Sequence, residues 1–223
     1  MIRKLTALPI LIFALSLSSP SANAAAAEAI TPEIRTSLEK LRELITGGDL
    51  DAALSRARLE ASKIGLTPRE AYFLQALIAS VLVNLQNYSE AATALDAALA
   101  TGQVPAADVP NQIKAIAALH YNASEFQKSI DAGERFFSAK KTKKDVQILV
   151  MIAQAHFHLK RYAESVEHIR NAITEADTIG EEVDKRWVLL WIGADHKTGN
   201  VRGVAAALKE FGNRFPDSNY RRP

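Results

Sequence analysis

The 223-residue chain has no cysteine. That excludes disulfides, thiolate-held metals, thiol nucleophiles and an acylated lipobox cysteine. Glycine and proline are sparse, and no Asn-Gly or Asp-Gly pair sits between alternating apolar residues, so the hairpin signature of a β protein is missing. The P-loop, the dinucleotide fingerprint, HExxH and the GxSxG elbow are missing too. An excess of one charge is also lacking. The chain carries 27 basic and 25 acidic side chains, and Arg3 and Lys4 alone account for the difference. Outside that N-terminal pair nothing supplies the bulk electrostatic attraction of a nucleic-acid-binding surface.

Arg3 and Lys4 open a recognisable segment. They precede an apolar run, Leu5 to Leu17, and the small–x–small triplet Ala22-Asn23-Ala24 follows. The run is shorter than the roughly 20 residues that a membrane-spanning helix needs. The pattern therefore predicts an export signal at 1–24, cleaved after Ala24, and a periplasmic or secreted mature chain. Residues 25–30 read as a short tether. An exported chain without disulfides has to be held together by burial, and 48% apolar residues suffice for that.

Most of the remaining chain has apolar residues three and four apart, the stripe of an amphipathic helix. Thr31-Pro32 and Thr67-Pro68 read as an N-cap followed by proline in the first turn. Gly47-Gly48, Gly102, Asp108-Val109-Pro110, Gly180 and Gly199-Asn200 break the pattern elsewhere. Between the breaks one phrase recurs: GDLDAALSRA, NYSEAATALDAAL, EFQKSIDAGERFF, RYAESVEHIRNAI and NVRGVAAALKEF. Its lead residues are Leu50, Tyr88, Phe126, Tyr162 and Val201. Three residues on stand Ala53, Ala91, Ser129, Ser165 and Val204; seven on stand Ala57, Leu95, Gly133, Ile169 and Leu208. Such a face predicts the second helix of a helical hairpin. The lead plugs the turn, the small residue lets two axes approach, and the later ones meet the next unit. One hairpin cannot bury that face alone, so neighbours must stack.

These residues resemble the tetratricopeptide repeat, a unit of about 34 residues with small residues in both helices. Ile78-Ala79, Tyr88 and Ala91 carry the resemblance in the second unit, and Ile152-Ala153, Tyr162 and Ser165 carry it in the fourth. Val204 in the fifth unit departs from the pattern, and the first unit has a highly charged leading helix that suits a cap. The resemblance implies an all-α fold, a right-handed superhelical stack of about five helix–turn–helix hairpins, or α-solenoid. The array spans 31–216, with units near 32–64, 68–101, 109–139, 145–178 and 181–215 and a tail at 217–223. The layout also resembles exported proteobacterial repeat proteins, some associated with TonB-type systems.

Chemistry is thinly represented. His156 and His158 lie two residues apart on a helix, so they point in different directions and cannot share a metal. His120 and His156 hold equivalent places in adjacent units and read as packing residues. His168 reads as an exposed rim residue. The run Lys140 to Lys144 reads as a solvated loop following a helix C-terminus. Trp191 reads as core. No catalytic residue, cofactor or metal is expected.

Arrays of this kind present their first helices along a concave groove. The non-core positions of those helices give a predicted lining. It runs from Phe73, Ser80, Val83 and Asn84 to Lys114, Tyr121 and Asn122, then Gln154, Phe157 and His158, and ends with Arg186, His196 and Lys197. Amides and aromatics of this sort suit a peptide backbone and its side chains. Lys114 is followed one turn later by Ala118, so the carboxylate clamp of some relatives is not reproduced. The expectation is a non-catalytic periplasmic scaffold or adaptor that binds a protein or peptide segment. The alternative is an accessory subunit of an envelope transport, export or cell-wall machine, docking through the end of the array, where Phe211 and Phe215 would allow a homodimer.

Overall fold

The computed structural model describes residues 30–141 and 144–216. The export segment, most of the tether, Thr142, Lys143 and the tail at 217–223 lie outside them. Every regular element among the described residues is an α-helix. The chain divides into two compact units, taken in turn here.

The first unit holds α1 (Pro32–Thr46), α2 (Leu50–Ala61), α3 (Pro68–Asn84) and α4 (Tyr88–Ala100). Both Thr-Pro pairs start helices as expected: Thr31 and Thr67 are N-caps whose hydroxyls accept from Ile34 N and Glu70 N. Glu70 completes a capping box on α3 and does more besides. Its carboxylate, 1% exposed, accepts from Thr67 N at 2.9 Å and from Thr31 N and Oγ1 at 2.8 and 2.7 Å. A single buried side chain thus ties the starts of α1 and α3 together. Around it, the small residues Ala53, Ala57 and Ala91 are fully buried where helix axes approach.

The second unit holds α5 (Val109–Asn122), α6 (Phe126–Lys140), α7 (Val146–His158), α8 (Tyr162–Ile179), α9 (Lys185–Thr198) and α10 (Val201–Arg214). Each hairpin packs on the next through its second helix, α6 on α7 and α8 on α9. The core is Ile116, Ile148, Ile152, Ile169 and Val188, all fully buried. The approach of α6 to α7 is close enough that a Cβ on Gly133 would come within 2.8 Å of Ile152 Cδ1. Ser165 Oγ donates to the Ala153 carbonyl at 2.8 Å, which satisfies a buried hydroxyl at the α7–α8 crossing.

All five hairpins turn in the same way. Two residues before each lead stands a residue with positive φ: Gly48 (82°), Gln86 (59°), Ser124 (61°), Lys160 (61°) and Gly199 (72°). The following amide bonds back over five residues, Asn87 N to Leu82 O at 2.8 Å and Arg161 N to His156 O at 2.9 Å among them. The left-handed residue itself bonds back over three, as Lys160 N does to Phe157 O at 3.0 Å. This is the Schellman closure, which satisfies carbonyls that a helix end would otherwise strand. Leu50, Tyr88, Phe126 and Tyr162 are then half-buried in their turns. Val201 departs from that role: it is 78% exposed, and Leu208 on the same helix is 43% exposed, because among the described residues no further helix covers α10. Phe211, expected at an exposed docking end, is instead buried at 4% exposure and packs on the Phe215 ring.

Candidate functional site

In the second unit the first helices α5, α7 and α9 lie side by side, with α7 touching both others. Eight of the thirteen residues of α7 are buried, so α7 offers one accessible stripe: Gln147, Met151, Gln154, Phe157 and His158. The equivalent positions of α5 are Asn111, Ala115, Ala118, Tyr121 and Asn122, and those of α9 are Arg186, Leu190, Gly193, His196 and Lys197. Each stripe is exposed at its ends and half-buried in its middle. The result is a surface with a low floor of small and apolar side chains between polar edges.

Asn122, His158 and Lys197 hold the same register in the last turns of the three helices and form one edge. His158 lies flat on Phe126, with ring centroids 4.3 Å apart and planes 4° from parallel. Tyr121 packs edge-on to Phe126 at 5.6 Å, and its hydroxyl is 3.4 Å from His158 Nε2. Burial pushes the Tyr121 phenol up from its ordinary range, so it stays protonated and serves as a donor. Phe157 is held edge-on by Tyr162 at 5.2 Å, and a Cβ on Gly193 would rest 3.7 Å from its ring. These aromatics are therefore pre-positioned by the turns, with part of each ring left accessible.

Several sequence-predicted residues are already engaged within the fold. Lys114 Nζ donates to both Asp145 oxygens at 3.0 and 3.2 Å and thereby joins α5 to the N-cap of α7. Arg186 donates through Nε to both oxygens of Asp184, the N-cap of α9, at 2.9 and 2.8 Å. That contact holds the Asp184 carboxyl below its usual range. Asn84 belongs to the first unit, where its Nδ2 donates to Ser80 O at 2.9 Å. Tyr121, Asn122, Gln154, Phe157, His158, His196 and Lys197 lie on the three facing helices of the second unit. The floor residues Ala115, Ala118, Met151, Leu190 and Gly193 were not in the predicted lining. A signal was present for Ala118 and Gly193, which lie eight positions before a repeat lead, the register of Gln154 and Ser80; Ala115, Met151 and Leu190 lie eleven before one, a turn further from the lead.

The carboxyl complement of the three first helices is one residue, Asp195, and it is internal. At 3% exposure it accepts from Trp191 Nε1 at 2.7 Å and Asn200 Nδ2 at 2.8 Å, which pins the α9–α10 turn. Trp191, half-buried, is capped by the Arg170 guanidinium 5.2 Å above its ring. His120 Nδ1 meets Glu125 at 2.7 Å. His168 is not on an exposed rim. It is half-buried against His156, with ring centroids 5.3 Å apart and planes 8° from parallel, because α8 turns this residue back onto α7. Burial, reinforced by the neighbouring His168, holds His156 below the usual imidazole range. Among the described residues no three His, Asp or Glu side chains are placed to hold a metal. Of the lysine run, Lys140 lies over the Phe136 ring at 5.5 Å and Lys144 meets Glu175 at 3.7 Å.

With this geometry in view, solved structures supply the class. The chain is similar to MamA from Desulfovibrio magneticus RS-1, with 12% identity and a TM-score of 0.56 over 86% of this chain and 99% of that one. It is similar to a tetratricopeptide repeat protein from Parabacteroides merdae, with 14% identity and a TM-score of 0.58 over 84% and 69% of the two chains. It also matches the apo form of RapI, with 13% identity and a TM-score of 0.60 over 84% of this chain and 55% of RapI. The fold is therefore that of the tetratricopeptide repeats, an all-α array of helical hairpins, as the repeated phrase implied. No protein-family model and no curated sequence matches the chain.

Proposed function

We propose that the protein is a non-catalytic scaffold or adaptor that holds a protein or peptide segment against α5, α7 and α9. The observation that carries this reading is α7, whose accessible surface is confined to a single stripe facing the same way as those of its two neighbours. That stripe combines an apolar floor, amides able to bond a peptide backbone, and aromatic rings fixed by the turns. It offers binding surface and no acid–base pair. Export to the periplasm is part of the proposal and rests on the charged, apolar and small-residue pattern of residues 1–24.

A second reading has its own support in Val201 and Leu208, apolar residues standing exposed on the last helix. There the protein is an accessory subunit of an envelope transport, export or cell-wall machine, a TonB-linked one among them, and it docks or dimerises through α10. Photo-crosslinking side chains installed singly at Gln147, Gln154 and Leu208, in cells that produce the full chain, separate the two. Partner adducts from Gln147 and Gln154 but not Leu208 support the groove. Adducts from Leu208 alone refute it in favour of the end of the array.

A further inference from the structure

The helices that line the groove are as informative for what they omit as for what they carry. Neither α5 nor α7 contains an aspartate or glutamate, and the carboxyl group of α9 is the buried Asp195. The three helices each start at an aspartate N-cap at the groove's opposite end: Asp145 and Asp184 are neutralised by Lys114 and Arg186, and Asp108 of α5 stands exposed, away from the last turns. What the edge formed by the last turns shows to solvent is therefore neutral or basic: Asn122, His158, His196 and Lys197. This asymmetry is local, since basic and acidic side chains are otherwise close to balanced along the chain. With no exposed carboxylate on α5, α7 or α9 themselves, the edge at their last turns is complementary to negative charge.

The floor specifies the rest of the partner. Ala115, Ala118 and Gly193 withdraw from the surface, and Met151 between them is unbranched and adaptable. Bulky apolar side chains have to come from the ligand. We infer that the groove takes an acidic peptide segment whose apolar side chains fill the Ala118–Met151–Gly193 floor and whose carboxylates lie along the Lys197 edge. This inference rests on the groove reading and adds the chemistry of the partner. Charge at this edge governs selection and encounter more than depth of binding, so salt weakens the complex.

The test is selection of a random displayed-peptide library on the mature protein, with three readouts on the recovered peptides. Enrichment of Asp and Glu beside bulky apolar residues, with binding about tenfold weaker to Lys197→Glu and in raised salt, supports the inference. Peptides that lose binding to Met151→Arg yet show no acidic excess, or ignore Lys197→Glu, overturn it while leaving the groove reading intact. Peptides indifferent to Met151→Arg, or no enrichment at all, overturn both. Anionic vesicles binding as tightly as the peptides, with the same dependence on Lys197, also overturn it, because the edge would then be reading charge without the apolar floor.

Discussion

Three of the five hairpins close on a residue that is ill suited to its backbone, and that makes a sharp prediction. Gln86, Ser124 and Lys160 have φ near 60°, where glycine occupies the equivalent positions 48 and 199. A side chain in this left-handed region costs about 1–2 kcal/mol. Glycine removes that cost but brings about 0.5–1 kcal/mol of extra chain entropy to be lost on folding. The difference favours glycine by about 0.5–1 kcal/mol at each site. All three side chains are exposed, so little packing is lost in return. Lys160→Gly should raise the melting temperature by about 1–4 °C, taking about 2–4 °C per kcal/mol for a chain of this size. The triple variant, with sites in separate hairpins, should gain about 1.5–3 kcal/mol by additivity. Thermal and urea unfolding followed by far-UV circular dichroism reads both. Destabilisation by Lys160→Gly, the ordinary result of a glycine inside a helix, would refute the assignment of a shared left-handed closure.

The other predictions concern buried polar groups and the last hairpin. Glu70→Ala strands the Thr31 and Thr67 donors and should cost about 2–3 kcal/mol in urea unfolding. Burial alone would raise the Glu70 carboxyl, but the N–H and hydroxyl donors outweigh it and hold it below its ordinary range. Its stabilising contribution is therefore present above about pH 4.3 and lost as pH falls through the lower folded value, and Glu70→Ala should flatten that acid limb. His156 is held down by burial and by His168, with Arg161 acting in the same sense and Glu134 and Glu164 opposing. The unfolded chain takes up that proton first, so stability should fall as pH drops through about 6.5. His156→Leu, which copies Leu44 and Leu82 at the same register, should flatten the slope; an unchanged slope would assign it to other groups. On α10, a Cβ at Gly203 would collide with Asp195 and Asn200, whereas one at Gly212 meets nothing within 4 Å. Gly203→Ala should destabilise by about 1–3 kcal/mol and Gly212→Ala should stabilise by up to about 1 kcal/mol.

The scaffold was readable because it is written five times. Ser165 and Gly133 fill places that alanine fills in other units, and both lie at close helix approaches. The left-handed positions were harder to see, since Gln86 and Lys160 look like ordinary helix residues until they are aligned with Gly48 and Gly199. The site was less legible for two physical reasons. Lys114 and Arg186 stood out as charges, but ion pairing depends on where an N-cap carboxylate sits, and Asp145 lies 31 residues from Lys114. Ala115, Ala118 and Gly193 carry no chemical mark of their own and gain meaning only as the floor between three helices. His168 beside Ile169 has a surface-like periodicity; the facing His156 ring half-buries it.

Methionine supplies the most direct test of the central claim. The chain has two methionines, Met1 and Met151, and Met151 lies on the groove floor. In methyl-labelled protein the Met151 resonance, assigned by its loss in Met151→Leu, should shift and saturate as a display-selected peptide is added. Labelled Leu208 and Val201 methyls on α10 should stay fixed in the same titration. Saturable binding that leaves Met151 unmoved and shifts Leu208 and Val201 would contradict the account.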